Sequence, residues 1–176
     1  MATINDRHYI PIKQEPYCCV PTCILMVMQR HGLALISQVE IGKVLGLVRP
    51  PEERPSSGYG TQIQKPEYDP NVAFRKLGIP LSFLYIPIFS LENSTTFSET
   101  VQKALSANQD VLICYHEEKI NGGHLILAAG FDEKNLSIFD PQDGLQKVYP
   151  TSYLYERCVI HGDRHMAGLW VITVIS

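Results

Sequence analysis

Long apolar runs and excess basic charge are both missing from this chain. Its longest apolar stretches fall well short of the roughly 20 residues that a membrane-spanning helix needs, so no membrane span is expected. Fifteen Lys and Arg stand against 18 Asp and Glu, a formal net charge of −3. That removes the basic footprint expected of a partner for nucleic acid. The stretch from Met1 to Arg7 has no apolar segment of the kind a secretory signal carries. Charge blocks, low-complexity tracts and internal repeats are absent as well. Cysteine occurs five times, an odd count, and Cys18, Cys19 and Cys23 crowd into six positions. That is not a disulfide framework, and it points to a reducing, cytoplasmic setting. What is left is a chain of 176 residues, 45% hydrophobic and 19% charged. Such a composition suits a single domain over residues 1–176 with its own core.

From about Val20 to His31 the pattern is helical, with Gly32 as the stop. Val20, Ile24, Leu25, Met26, Val27 and Met28 make this helix apolar nearly all round, so it belongs at the centre of the fold. Ser37, with Glu40 three residues on, makes a capping box ahead of Ile41, Val44 and Leu45. Prolines and glycines exclude a regular element over 49–70. A loop of that length inside a compact domain is often functional, and Tyr59 and Tyr68 offer it contact surface. A short helix is expected over 71–77, capped near Asp69 or Asn71 and ended by Gly78, and then a strand over 81–88. A helix over 98–106, capped by Thr96 or Ser98, precedes strands at 111–115, 124–129 and 136–139. An edge strand at 145–149, a short helix at 151–157 and a last strand at 170–175 complete the chain. Helices first and a mostly antiparallel sheet afterwards predict an α+β fold.

The chemistry is concentrated in four residues. A cysteine in the first turn of a buried helix has its thiolate favoured by free backbone N–H groups and the helix dipole. Cys19 stands there, with Pro21 near the first helical position, where a missing N–H costs nothing. A thiolate nucleophile needs a base, and the base needs an orienting partner. His124 opens an apolar strand and is the best candidate base, and Asp140 closes the next strand, before Pro141. If the two strands pair through a turn at 130–135, their outer ends return to one edge of the sheet. The carboxylate then holds the imidazole's tautomer and stabilises its charged form. Gln14, five residues before Cys19, can donate its side-chain amide to an oxyanion beside the Cys19 N–H. No cofactor is expected.

Other residues compete for attention. Cys18 is the alternative nucleophile, although it precedes the helix and lacks the terminus effect. Cys23, one helical turn beyond Cys19, and Cys114, inside an apolar run, read as core. His116 either lines the cleft or is a solvated loop residue, the second being the simpler expectation. Cys158, His161 and His165 fall one ligand short of the usual structural zinc set, so no metal site is expected. The stretch 162–164 reads as a loop, with Asp163 and Arg164 solvated.

Gln14-x4-Cys19-x-Pro21, then Gly122-Gly123-His124-Leu-Ile-Leu-x-x-Gly130, then Asp140-Pro141 sixteen residues after the histidine, resembles the papain-like C39 peptidase group. The resemblance is strongest over 10–32 and 108–142. In that group the corresponding residues are oxyanion glutamine, nucleophile, base and orienter. The resemblance implies a papain-like α+β domain that hydrolyses a peptide or similar amide through a thioester, with a peptide or protein as its substrate. One position departs: Val20 stands where the family usually has glycine. Members of the wider clan also transfer acyl groups, as phytochelatin synthases do, so acyl transfer on the same site is one alternative. A non-catalytic binding module that keeps the fold is another, but a dead site has no physical need for all four residues. Cleavage of double-glycine leaders is characteristic of C39 domains fused to transporters, and that substrate is not carried over. Specificity is expected from the cleft walls, the 49–70 loop among them.

Overall fold

The computed structural model describes residues 8–176. Residues 1–7, read above as lacking a signal segment, and the side chain of Arg164, expected to be solvated, lie outside the described part. In chain order the elements are α1 (Cys19–Arg30), α2 (Gln38–Val44), α3 (Pro70–Lys76), β1 (Leu81–Pro87), α4 (Ser94–Ser106), β2 (Asp110–Glu117), β3 (Gly122–Phe131), β4 (Asn135–Asp140), β5 (Leu145–Pro150), α5 (Thr151–His161) and β6 (Gly168–Val174). The strands form one sheet in the order β1-β6-β2-β3-β4-β5, and every pairing is antiparallel. The fold is α+β, as expected, and β5 lies at an edge of the sheet.

Apolar clusters cover both faces of this sheet. On one face Ile24, Val27 and Met28 of α1 meet Leu125, Leu127 and Ala129 of β3. On the other, Phe97 and Val101 of α4 and Leu154 of α5 meet Ile126 and Ala128. Strands buried on both faces lose the alternation of a half-exposed strand and read as continuous apolar runs. That is the pattern at 111–115 and 124–129. Each buried aliphatic side chain adds about 1.5–3 kcal/mol, so α1 is held chiefly by its apolar surface.

Polar contacts fix the details. Arg30 and His31, at the end of α1, meet the buried Asp110 at the start of β2, at 2.9 and 2.7 Å. The Tyr9 hydroxyl donates to the same carboxylate. The Ser37–Glu40 capping box is present. Asp69 caps α3, and Pro70, assigned above to the loop, is its first residue. Asn71 bonds both the N–H and the C=O of Phe83 at 2.8 and 2.9 Å, which occupies polar backbone groups on edge strand β1.

Several boundaries differ from the expectations. The helix expected over 98–106 begins at Ser94, because Asn93 caps it through the Thr96 N–H at 2.9 Å. Asn, Ser and Thr stand side by side here, and all are good caps. The helix expected over 151–157 runs on to His161, where Gly162 at φ 77° ends it. His116 is not a loop residue but a half-buried member of β2, paired with Gly123. Asp163, expected to be solvated, is half-buried, and its carboxylate accepts the Phe89 N–H at 3.4 Å. Among the described residues, no helix is long and apolar enough to cross a membrane.

Candidate active site

The candidate site lies where α1 begins and the β3–β4 hairpin ends. Cys19 is the first residue of α1, and Cys18 is its N-cap position. Pro21 falls at the third helical position, still among those whose N–H has no intrahelical partner. Gly32 follows the helix at φ 63°, the left-handed stop that glycine takes without strain. β3 and β4 pair as a hairpin with Leu127 opposite Phe139, and a bulge lies at Ala129. Counting on from that pair puts Asp140 level with Ile126, two residues along β3 from His124.

The structure brings Cys19, His124 and Asp140 together. His124 Nε2 lies 2.7 Å from Asp140 Oδ1, and both residues are only 3% exposed. The Cys19 thiol lies close enough to His124 for each group to act on the other's ionisation. With Nε2 engaged by the carboxylate, Nδ1 is the nitrogen left for the thiol. Burial opposes ionisation of Cys19, but the hydrogen bond and charge of His124, with the N–H groups of Leu125 and Val20, outweigh it and hold the thiol below its usual value. Burial likewise works against a charged His124, yet its bonds to Asp140 and Cys19 push it up to about 9. Asp140 is buried, which favours the acid form, but His124, Lys147 and the Gln142 N–H hold it well below the usual carboxylate range. Such a set favours a thiolate facing an imidazolium.

The neighbouring cysteines are arranged for the opposite state. Cys18 is fully buried, and burial pushes it up to about 11 although Arg49 opposes the shift. Cys23 is buried, with its thiol 3.6 Å from the Leu125 carbonyl, and burial pushes it well up. Cys114 lies in the same cluster, and burial raises it likewise. All five cysteines are free.

Gln14 reaches the site through its backbone, whose N–H donates to the Pro141 carbonyl at 2.7 Å. Its side-chain Oε1 is buried and has no hydrogen-bond partner among the described residues. The segment around it is tied down by Gln38, a residue that sequence reasoning missed. Gln38 accepts from the Glu15 N–H at 2.7 Å and from the Thr22 hydroxyl at 2.8 Å, and its amide donates to the Lys13 carbonyl at 3.0 Å. A buried glutamine just inside a capping box was the available signal.

Lys147 was missed too. Its ammonium lies 2.6 Å from Asp140 Oδ2 and 2.7 Å from Asp143 Oδ2. The Asp143–Lys147 spacing within the hairpin after Asp140 was its only trace in the sequence. On the flank of the site, His161 of α5 lies over Gly123. A Cβ at Gly123 would sit 2.6 Å from the His161 ring, so only glycine fits there undisturbed. The His161 ring also lies tilted against those of His116 and His165, with ring centres 6.2 and 5.1 Å away. Cys158 is buried in the core beneath them.

The 49–70 loop is built around one buried side chain. Gln62 is 1% exposed and donates to the Gly58 and Gly60 carbonyls at 3.1 Å each. Val48 and Gly60 form a bridge that closes the first part of the loop, 49–59. Tyr59 projects from it onto Tyr17, with ring centres 5.2 Å apart. Tyr17, two residues before Cys19, is held at φ 65°, a conformation that is uncommon for a bulky residue and collects at functional sites. Tyr68 packs instead over Gly46, behind α2.

Known proteins share this fold. The profile of the Peptidase_C39-like family matches residues 7–159. A C39-like peptidase from Bacillus anthracis superposes with a TM-score of 0.64 at 15% identity, over 99% of each chain. The peptidase domain of Streptococcus ComA, a bifunctional ABC transporter of a quorum-sensing pathway, gives 0.59 at 16% identity, over 95% of this chain and 98% of its own. A double-glycine-motif protease from an AMS/PCAT transporter, solved with its leader peptide, gives 0.57 at 15% identity, over 99% and 97%. At such identities the likeness is one of fold, and the fold is papain-like. No curated protein matches the sequence. On the extent of the profile match and the shared architecture, the chain belongs to the C39-like family of cysteine peptidases.

Proposed function

We propose that the protein hydrolyses a peptide or related amide bond through a thioester on Cys19. The observation that carries this reading is the buried His124–Asp140 pair at 2.7 Å, set beside a Cys19 thiol that His124 holds below its usual value. In the resting site His124 holds the proton and Cys19 is the thiolate. The thiolate attacks the carbonyl carbon of the substrate. The oxyanion so formed is met by the Cys19 N–H at the helix terminus and by the Gln14 amide. His124 then gives its proton to the leaving amine, the C–N bond breaks, and the thioester remains. Water, deprotonated by His124, attacks the thioester, releases the acid and returns the proton to the site. Asp140 keeps the imidazole oriented throughout.

A peptide substrate is supported by a structural relative that is held with a leader peptide. Tyr17 lies two residues before the nucleophile and pairs its ring with Tyr59, and the pair is taken here as one wall of the substrate cleft. Five free thiols suit a reducing compartment such as the cytoplasm.

The test is turnover of a mixed peptide library followed by mass spectrometry. Wild-type protein should generate new termini and carry a transient acyl mass on Cys19. Cys19→Ala and His124→Ala should each lower turnover by about a thousandfold or more. Products that appear only with an added amine or thiol would replace hydrolysis by acyl transfer. A protein that neither turns over nor acylates would be a binding module.

A further inference from the structure

The residue that touches Asp140 from the side away from His124 is a cation. Lys147 stands on edge strand β5, opposite Ile138 of β4, and its ammonium reaches back over the strand to Asp140 Oδ2 at 2.6 Å. Asp140 therefore divides its two oxygens, one on the imidazole at 2.7 Å and the other on the lysine. Asp143, in the turn between β4 and β5, holds the same ammonium at 2.7 Å. Three charges thus stand in a line behind the imidazole: carboxylate, ammonium, carboxylate.

We propose that Lys147 is a positioning residue that tempers Asp140, drawing part of its charge away from His124 so that the imidazolium can still give up its proton to the leaving amine. This rests on the reading of Cys19, His124 and Asp140 as the catalytic set. A buried carboxylate with nothing on its second oxygen would grip the imidazolium harder, because a charge acts strongly where water is excluded. It would favour the resting ion pair but hold back the proton when the amine must leave. A cation on the far oxygen lowers that grip and holds the carboxylate in place. Asp143 in turn weakens the lysine, so the three charges tune His124 in alternating directions.

The other groups around His124 do not account for the arrangement. Cys19 faces it from α1. Glu117 of β2 acts on it through space, while its carboxylate accepts the Tyr115 hydroxyl at 2.9 Å. Tyr115 itself packs edge-on against the imidazole, ring centres 5.9 Å apart. Tyr149 of β5 lies near Asp140, and His161 of α5 sits over Gly123, held neutral by burial and by His165 and His116. Beside His124 itself, Lys147 is the cation that acts on Asp140 among the described residues. It is partly exposed, so replacing it leaves the core alone.

The test follows the His124 ring by NMR titration of histidine-labelled protein, with His124→Ala to assign its signal. It needs no substrate. Lys147→Met should raise the His124 midpoint by about half a unit to one unit. Asp143→Asn should lower it by a smaller amount, because the freed lysine then acts on Asp140 alone. Lys147→Arg should leave it within about 0.2 units of wild type, since it restores the charge. With a substrate in hand, Lys147→Met should slow amide cleavage more than cleavage of the matching ester, whose leaving group needs less proton assistance. A midpoint that stays put or falls in Lys147→Met overturns the proposal, since a purely structural lysine would loosen Asp140 and release the proton more easily. Loss of this effect in a protein whose turnover still requires Cys19 and His124 refutes the role of Lys147 alone. Turnover that survives Cys19→Ala refutes the reading beneath it.

Discussion

Two histidines lie one residue apart in space, and the protein treats them in opposite ways. His124 is nearly fully buried and is pushed up to about 9. His161, over the neighbouring Gly123, is half-buried and pushed down to about 4. Burial disfavours the charged ring in both. The difference is what each ring faces: Asp140 and a cysteine thiol on one side of residue 123, His165 and His116 on the other. A carboxylate within hydrogen-bond reach thus reverses a penalty that other imidazoles only deepen. One imidazole is held toward its charged form and the other toward its neutral form.

The comparison breaks most visibly if Asp140 is neutralised. Asp140→Asn leaves His124 buried with Cys19 alone to favour its charged form. Its midpoint should fall from about 9 toward the usual 6.5. The alkaline limb of activity, set by loss of the imidazolium, should move down with it, and kcat/KM should drop by about a hundredfold or more. A titration of His124 alongside the pH profile checks both. A smaller effect sharpens the other half. Gly123→Ala drives a methyl group into the His161 ring, which can swing only partly aside, and should cost about 1 kcal/mol of stability. His161→Ala in the same protein should recover most of that loss, while His161→Ala alone should leave the His124 midpoint within about 0.2 units. Thermal melts of the single and double variants measure the coupling.

The half of this comparison that concerns His124 was legible in the sequence. Turn residues at 130–135 force the two strands into a hairpin, and strand lengths then carry His124 and Asp140 to the same end. The Ala129 bulge left no sequence mark, yet it did not separate them. The first turn of α1 was legible for a similar reason: an apolar run after Pro21 and a glycine stop at Gly32 bound it closely. The His161 half was not legible. Its contacts with Gly123 and His116 join elements some 40 residues apart, and no local rule of helix or strand predicts them. Lys147 was hidden differently, since a lysine on an alternating edge strand looks like ordinary solvated charge until the turn folds it back on Asp140. Tyr17 shows a third limit. A residue after proline in a turn of this hand is expected to be glycine, and here a tyrosine occupies it against Tyr59.

The proposed chemistry turns on which thiol is ionised. Cys18 and Cys19 are adjacent, and the first is pushed up to about 11 while the second is held below its usual value. Brief alkylation with iodoacetamide at about pH 6, well below the ordinary thiol range, followed by fragment mapping, separates them directly. Label on Cys19 alone, lost in His124→Ala at that pH, is the predicted result. Label on Cys18, or none on Cys19 until the pH passes about 8.5, would contradict the site described here.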